Sequence, residues 1–286
     1  MAMSEPLLCA LVLGASVLAG LLGSLTGLGG GVIVIPVLVL LFGVDLRYAI
    51  GASLVAVIAT STGSAAAFVR EGFTNLRIAM LLEVATTAGA LCGAFLAAYL
   101  PVPALSIIFS LVLLYTAVTT FRSRVADHPQ LPPDPLATRL GLNGHAPVRG
   151  PDDAPGTKPY FPRRVPAGFA VMFGAGVLSA LVGIGSGVVK VLAMDRLMGL
   201  PFKVSTTTSN FMIGVTAAAG AGVLLHRGQI DPRLAAPVAV GALAGSFIGA
   251  RILPRANVRS LRLAFAVLVA LAGVQMLIRG VQGVMS

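Results

Sequence analysis

Tryptophan is absent from this 286-residue chain, aromatic residues make up 6% of it, and only 10% of its residues are charged. A soluble domain carries about 25% charged residues, so a soluble globular fold is excluded. The net charge of +10 does not point to nucleic acid, because so few aromatics leave no surface on which bases could stack. Two cysteines, Cys9 and Cys92, are too few for a disulfide framework or a thiolate metal site and read as small apolar residues. Three histidines, with no H-E-x-x-H and no Cys/His cluster, leave little metal chemistry. No G-x-S-x-G elbow and no ATP-binding motif is present. The expectation is a protein without cofactor or metal that is not an enzyme.

What is present is apolar sequence. Hydrophobic residues account for 57% of the chain, and the mean hydropathy is +0.95. Runs of 18 residues or more recur, each long enough to cross a ~30 Å hydrocarbon core. A β-barrel would show short alternating strands instead. The expected class is all-α: a polytopic helical membrane protein. Ten apolar segments are visible, at 6–25, 31–44, 49–69, 76–100, 102–121, 165–182, 187–200, 204–225, 232–254 and 258–278. The first lacks a basic leader region and carries Glu5, so it reads as a retained segment. Residues 122–164 are rich in proline, glycine and charge and read as a flexible connecting loop, with His128 and His145 solvated.

A shift of 156 residues superimposes the two halves without a gap. Gly27, Gly29 and Gly31 fall on Gly183, Gly185 and Gly187, Ser53 on Ser209, Thr60 on Thr216, and Gly89 and Gly93 on Gly245 and Gly249. The expected organisation is a first repeat over 1–121, the loop over 122–164, and a second repeat over 165–286. An odd number of crossings per repeat inverts the second against the first. Charge agrees: fifteen Lys/Arg fall on one side and four on the other, with Lys190 inside a segment. The rich side is cytoplasmic by the positive-inside rule. The central loop is then inside and both termini are external. The segments 31–44 and 187–200 are short for a full span, and either cross or double back beside their predecessors.

Glycine costs ~1 kcal/mol per residue in a helix interior, yet "TGLGGG" (26–31) and "VGIGSG" (182–187) interrupt apolar segments at equivalent places. Paired Gly-broken segments in inverted repeats mark a transporter's midplane site. A helix that restarts inside the membrane exposes N–H groups and a positive dipole end, which suit an anion. Such a break must be buried or face a water-filled cavity. Candidate substrate-binding residues are therefore Gly27, Gly29, Gly30, Gly31, Gly183, Gly185, Ser186 and Gly187. By contrast, "GALCG" (89–93) and "GALAGSFIG" (241–249) have the four-residue spacing of helix packing.

Lys190, three residues past Gly187, is a membrane-embedded cation and is functional by default. It either completes an anion site or pairs with Asp195. Its first-half counterpart is Val34, so the site is asymmetric. Ser53, Ser209 and Asn210 offer polar groups that could contact substrate or bond back to their own helices. Glu83 is the one acid well inside a segment, and is either a coupling group or a salt-bridge partner. A cation or amine carrier would want several such acids.

The runs Gly20–Phe68 ("GLLGSLTGLGGGVIVIP…") and Gly176–Gly222 ("GVLSALVGIGSGVVKVL…STTTSN…") resemble the TauE/SafE family of sulfite exporters and organosulfur-anion permeases. The resemblance covers nearly the whole chain outside the central loop. It implies secondary transport of sulfite, a sulfonate or a related small anion across the cell membrane. The expected location is the cell (inner) membrane, and a proton or sodium are the candidate coupling ions, between which the sequence does not choose. Pro36 fits the family pattern. Its second-half equivalent is Leu192, and Ser186 stands where glycine is usual. A passive anion channel, or a carrier of another small anion such as a carboxylate, are the alternatives.

Overall fold

A computed structural model describes residues 5–26, 30–70, 74–122, 134–149, 155–252 and 258–285. The first half contains α1 (Glu5–Thr26), α2 (Gly31–Pro36), α3 (Leu46–Arg70), α4 (Leu76–Tyr99) and α5 (Val102–Arg122). After a short helix α6 (Pro135–Arg139) and two strands, β1 (Gly144–Arg149) and β2 (Pro155–Tyr160), the second half follows. It contains α7 (Val165–Val182), α8 (Gly187–Leu192), α9 (Phe202–His226), α10 (Pro232–Ile252) and α11 (Val258–Met285). Both α2 and α8 run on into a wider π-helical turn, at Val37–Leu41 and Ala193–Leu197.

The element boundaries repeat the register of the sequence. Shifted by 156, α2 becomes α8, α3 becomes α9, and one π turn becomes the other, residue for residue. The starts of α4 and α5 fall on those of α10 and α11, and the end of α1 falls on that of α7. Leu192 replaces Pro36 before the second π turn, so the missing proline N–H does not cause it. The turn belongs to the repeat.

Packing exchanges partners between the halves. α1 packs on α10 and, equivalently, α7 packs on α4; α3 meets α9 and α5 meets α11. Glycines allow these contacts. Gly89 and Gly93 sit against the carbonyls of Phe173 and Val177 on α7, and Gly241 and Gly245 against those of Leu13 and Val17 on α1. A Cβ at any of the four would collide with backbone. The packing role expected for these stretches is what the structure shows, and it is close contact of the small-residue kind.

Seven helices among the described residues are long and apolar enough to cross a membrane: those within α3, α4, α5, α7, α9, α10 and α11. The run 31–41 is too short. Six helical and five π residues reach roughly 16 Å at 1.5 Å per residue. Its second-half equivalent, 187–197, has the same length. Both double back. Gly30 lies beside the Ala19 carbonyl and Gly20. The Arg163 N–H, just before α7, donates to the Met198 carbonyl at 2.9 Å. Ten apolar segments are therefore not ten crossings.

The central segment differs from the loop read from sequence. β1 and β2 pair antiparallel, from Gly144 opposite Tyr160 to Arg149 opposite Pro155. Ala137, Leu142, Ala146 and Tyr160 are buried in one cluster with Ile78, Leu82, Met172 and Met198. The composition is too polar to fold alone, but its few apolar residues find a ready surface at the ends of α4 and α7. Asn75 fastens the joint. Its Oδ1 caps α4 by accepting from the Ile78 N–H at 3.1 Å. Its Nδ2 donates to the Tyr160 hydroxyl at 2.8 Å and to the Leu142 carbonyl at 3.3 Å. Burial pushes the Tyr160 phenol above its usual pKa. His145 is exposed, as expected; His128 lies outside the described residues.

Candidate functional site

The start of α2 meets the second glycine break. A Cβ on Gly31 would lie 2.9 Å from the Gly183 carbonyl oxygen and 2.7 Å from Val57 Cγ2. Only glycine leaves room for this approach. Ser53 Oγ, fully buried on α3, donates to the same Gly183 carbonyl at 2.7 Å. On the other side Ser209 Oγ donates to the Gly187 carbonyl at 3.4 Å. The equivalent serines thus both bind the second break. Gly27 and Gly29 fall outside the described residues; Gly30 and Gly31 open the short helix α2 and are buried.

The second break has an unusual backbone. Gly183, Gly185 and Ser186 all take left-handed conformations, with φ of +73°, +78° and +49°. An L-residue there costs roughly 1–2 kcal/mol, so Ser186 holds a position where glycine would be more comfortable. Its hydroxyl is buried and makes no hydrogen bond. Ser179, one turn before Gly183, is in the same state. Two orphaned buried hydroxyls at one helix break are polar capacity without a protein partner.

Lys190 is 0% exposed. Its ammonium donates to the Thr216 hydroxyl on α9, and Thr216 Oγ1 lies 2.7 Å from Glu83 Oε1 on α4. The acid facing Lys190 electrostatically is Glu83. Glu83 also accepts from Thr87 Oγ1 at 3.3 Å, while its Oε2 has no hydrogen-bond partner. Glu83 and Lys190 are therefore brought together. Asn210, buried at 5% exposure, sits on α9 beside Ser209. The hydroxyls of Thr206 and Thr207 bond back to their own helix.

Sequence reasoning passed over Thr216 except as the match of Thr60, and passed over Ser179 altogether. A signal for Thr216 existed: it lies seven residues past Ser209, two helical turns along the same face. Its counterpart Thr60 bonds to the Val57 carbonyl of its own helix. The symmetry-related position around Thr60 carries Val34 and Ala239 in place of Lys190 and Glu83, and so lacks both charges of the relay.

The profile of the family described as "Sulfite exporter TauE/SafE" matches residues 12–276. Two proteins of Bacillus subtilis (strain 168) are similar over most of their length. One, named "Probable membrane transporter protein YunE", is 25% identical over 272 residues, covering 92% of this chain and 95% of that one. Another, named "Probable membrane transporter protein YdhB", is 27% identical over 247 residues, covering 85% and 91%. No solved structure matches the chain.

Proposed function

The chain belongs to the TauE/SafE family and is a multi-pass membrane transporter, and from that premise we propose that it is a secondary transporter of one small anion, sulfite or an organosulfonate, moved by alternating access. The observation that carries this reading is the close approach of Gly31 to the second glycine break, which itself holds two orphaned, buried hydroxyls and is followed three residues on by a buried lysine. Backbone N–H groups freed by a break attract negative charge, and the hydroxyls replace water around its oxygens. Gly27–Gly31, Gly183–Gly187, Ser53, Ser209 and Asn210 form the cradle, and Lys190 supplies the charge. The protein sits in the cell inner membrane with its central segment cytoplasmic and both termini outside, as the distribution of Lys and Arg favours.

Two measurements test this. Thermal stabilisation of the purified protein by a panel of sulfite, thiosulfate, sulfate, sulfoacetate and carboxylates identifies the anion class. A response to carboxylates alone would reassign the substrate. Proteoliposomes then separate a carrier from a channel, because only a coupled carrier accumulates labelled anion against its gradient.

A further inference from the structure

Lys190 is not waiting free for a ligand. Its charge is already answered by Glu83 through Thr216. A Lys⁺/Glu⁻ couple is neutral, and adding an anion leaves a net negative charge in a buried site. Removing charges from water is costly unless they are compensated. We propose that Glu83 takes up one proton for each anion that engages Lys190, so that Thr216 switches between a lysine–glutamate bridge and an open, anion-accepting state. The inference rests on the anion reading above and adds its coupling.

The geometry provides both positions of the switch. The Thr216 hydroxyl has one hydrogen. In the bridged state Oγ1 accepts from Lys190 and donates to Glu83 Oε1 at 2.7 Å. A second acceptor is already in reach: the Met212 carbonyl on its own helix, at 2.9 Å. When Glu83 is neutral, the hydroxyl turns to Met212 and the lysine's charge is left for the substrate. The proton has a place to go as well. Glu83 Oε2 is buried without any hydrogen-bond donor, a costly arrangement for an ionised oxygen. Protonation there forms one O–H bond and changes the acid's charge from −1 to 0; the proton comes from hydronium or a buffer acid in the surrounding water, whose own bond to that proton breaks.

The elements that carry and surround the bridge hold a few further charged or titratable groups. α4 adds Arg77 at its start, and Cys92 and Tyr99 in its later turns. α9 has Lys203 near its start and His226 at its end. Asp195 and Arg196 lie in the π turn beyond α8, and α7 has no titratable side chain.

The test is anion binding to the purified full-length protein, by calorimetry with sulfite and with methanesulfonate, between about pH 6 and 8. Wild type is compared with Glu83→Gln, in which the site no longer needs a proton. The ratio of the two affinities cancels the anion's own titration. The proposal expects the wild-type affinity, relative to the variant, to fall by up to about tenfold per pH unit as pH rises. A ratio that stays flat while both proteins bind overturns the coupling and leaves the anion reading standing. Binding of neither anion by any version overturns the anion reading itself, and the coupling with it. Should Glu83→Gln not fold, wild type alone decides. Methanesulfonate has no proton to give near neutrality, so uptake of one proton per anion bound in weak buffer supports the proposal. Zero uptake overturns it.

Discussion

Ser53 Oγ donates a 2.7 Å hydrogen bond to the Gly183 carbonyl, tying the third helix of the first half to the helix break of the second. Both groups are buried, and the bond spans 130 residues of sequence. Removing the donor strands a carbonyl. Ser53→Ala should cost about 1–3 kcal/mol of stability, read as a lower unfolding temperature in detergent, and should weaken anion binding. An unfolding temperature and an affinity both equal to wild type would show that the bond does not matter.

Ser186 sets stability against binding. Ser186→Gly relieves a left-handed serine and should leave stability unchanged or raise it by about 1 kcal/mol, while removing an orphaned hydroxyl from the break. The expected result is a stable protein with weaker anion affinity. Gly185→Val is the opposite case. At φ +78° and with Ile213 Cγ2 2.9 Å from a Cβ, it should abolish binding even with Lys190 intact. Tight binding by both variants would reduce the break to a packing device.

Lys190→Met keeps the apolar stem and removes the charge. A charge-assisted contact is worth about 1.5–3 kcal/mol, so affinity should fall roughly 10- to 150-fold. The single variant also leaves Glu83 without its cation, at a cost of about 3–5 kcal/mol. Adding Glu83→Gln should therefore recover most of the lost stability without recovering binding. A purely additive double-mutant cycle would mean that Thr216 transmits nothing between them.

The register of the two halves was legible in the sequence because glycines and hydroxyls at a constant 156-residue offset do not arise from apolar composition alone. The structure keeps that offset to the residue at Gly31/Gly187 and Leu46/Phe202. Hidden from sequence was whatever depended on exchange between halves or on residues with no counterpart. Glu83 lies on a helix of the first half, more than 100 residues before Lys190 and Thr216 on two successive helices of the second, and symmetry maps Glu83 and Lys190 onto Ala239 and Val34. Periodicity cannot pair such residues. The central segment was hidden for another reason. Its folding depends on a surface supplied by Ile78, Met172 and Met198, and a segment's own composition does not report the surface it will lie on.

That segment gives a prediction of its own. Asn75→Ala removes a helix cap, worth about 1 kcal/mol, together with the link to Tyr160. It should expose the Gly144–Tyr160 hairpin to limited proteolysis before the helical core unfolds. Tyr160 adds an alkaline signature. Its phenol is raised in the folded state, so the stability it contributes is complete below the unfolded value of about 10 and lost as pH rises beyond it. Tyr160→Phe should flatten that loss; an unchanged alkaline unfolding profile would place the titration elsewhere.

Orientation is open to direct labelling. With Cys9 and Cys92 replaced by serine, a cysteine at Gln282 should react with an impermeant maleimide added to intact cells. One at Arg139 should react only after lysis. Both side chains are exposed in the fold, so access depends on the membrane alone. The reverse pattern would turn the molecule over.

The exchange of partners between α1 and α10 bears on how the chain is made. α1 ends at Thr26 and α10 begins at Pro232. The ribosome therefore delivers α1 about 200 residues ahead of the helix that covers it, an interval of roughly 10–40 s at ordinary elongation rates. Throughout that time α1 is without the helix it packs on most extensively. Neither half can be finished before the other has arrived, so a gene split within the central segment should yield protein only when both fragments are made in the same cell.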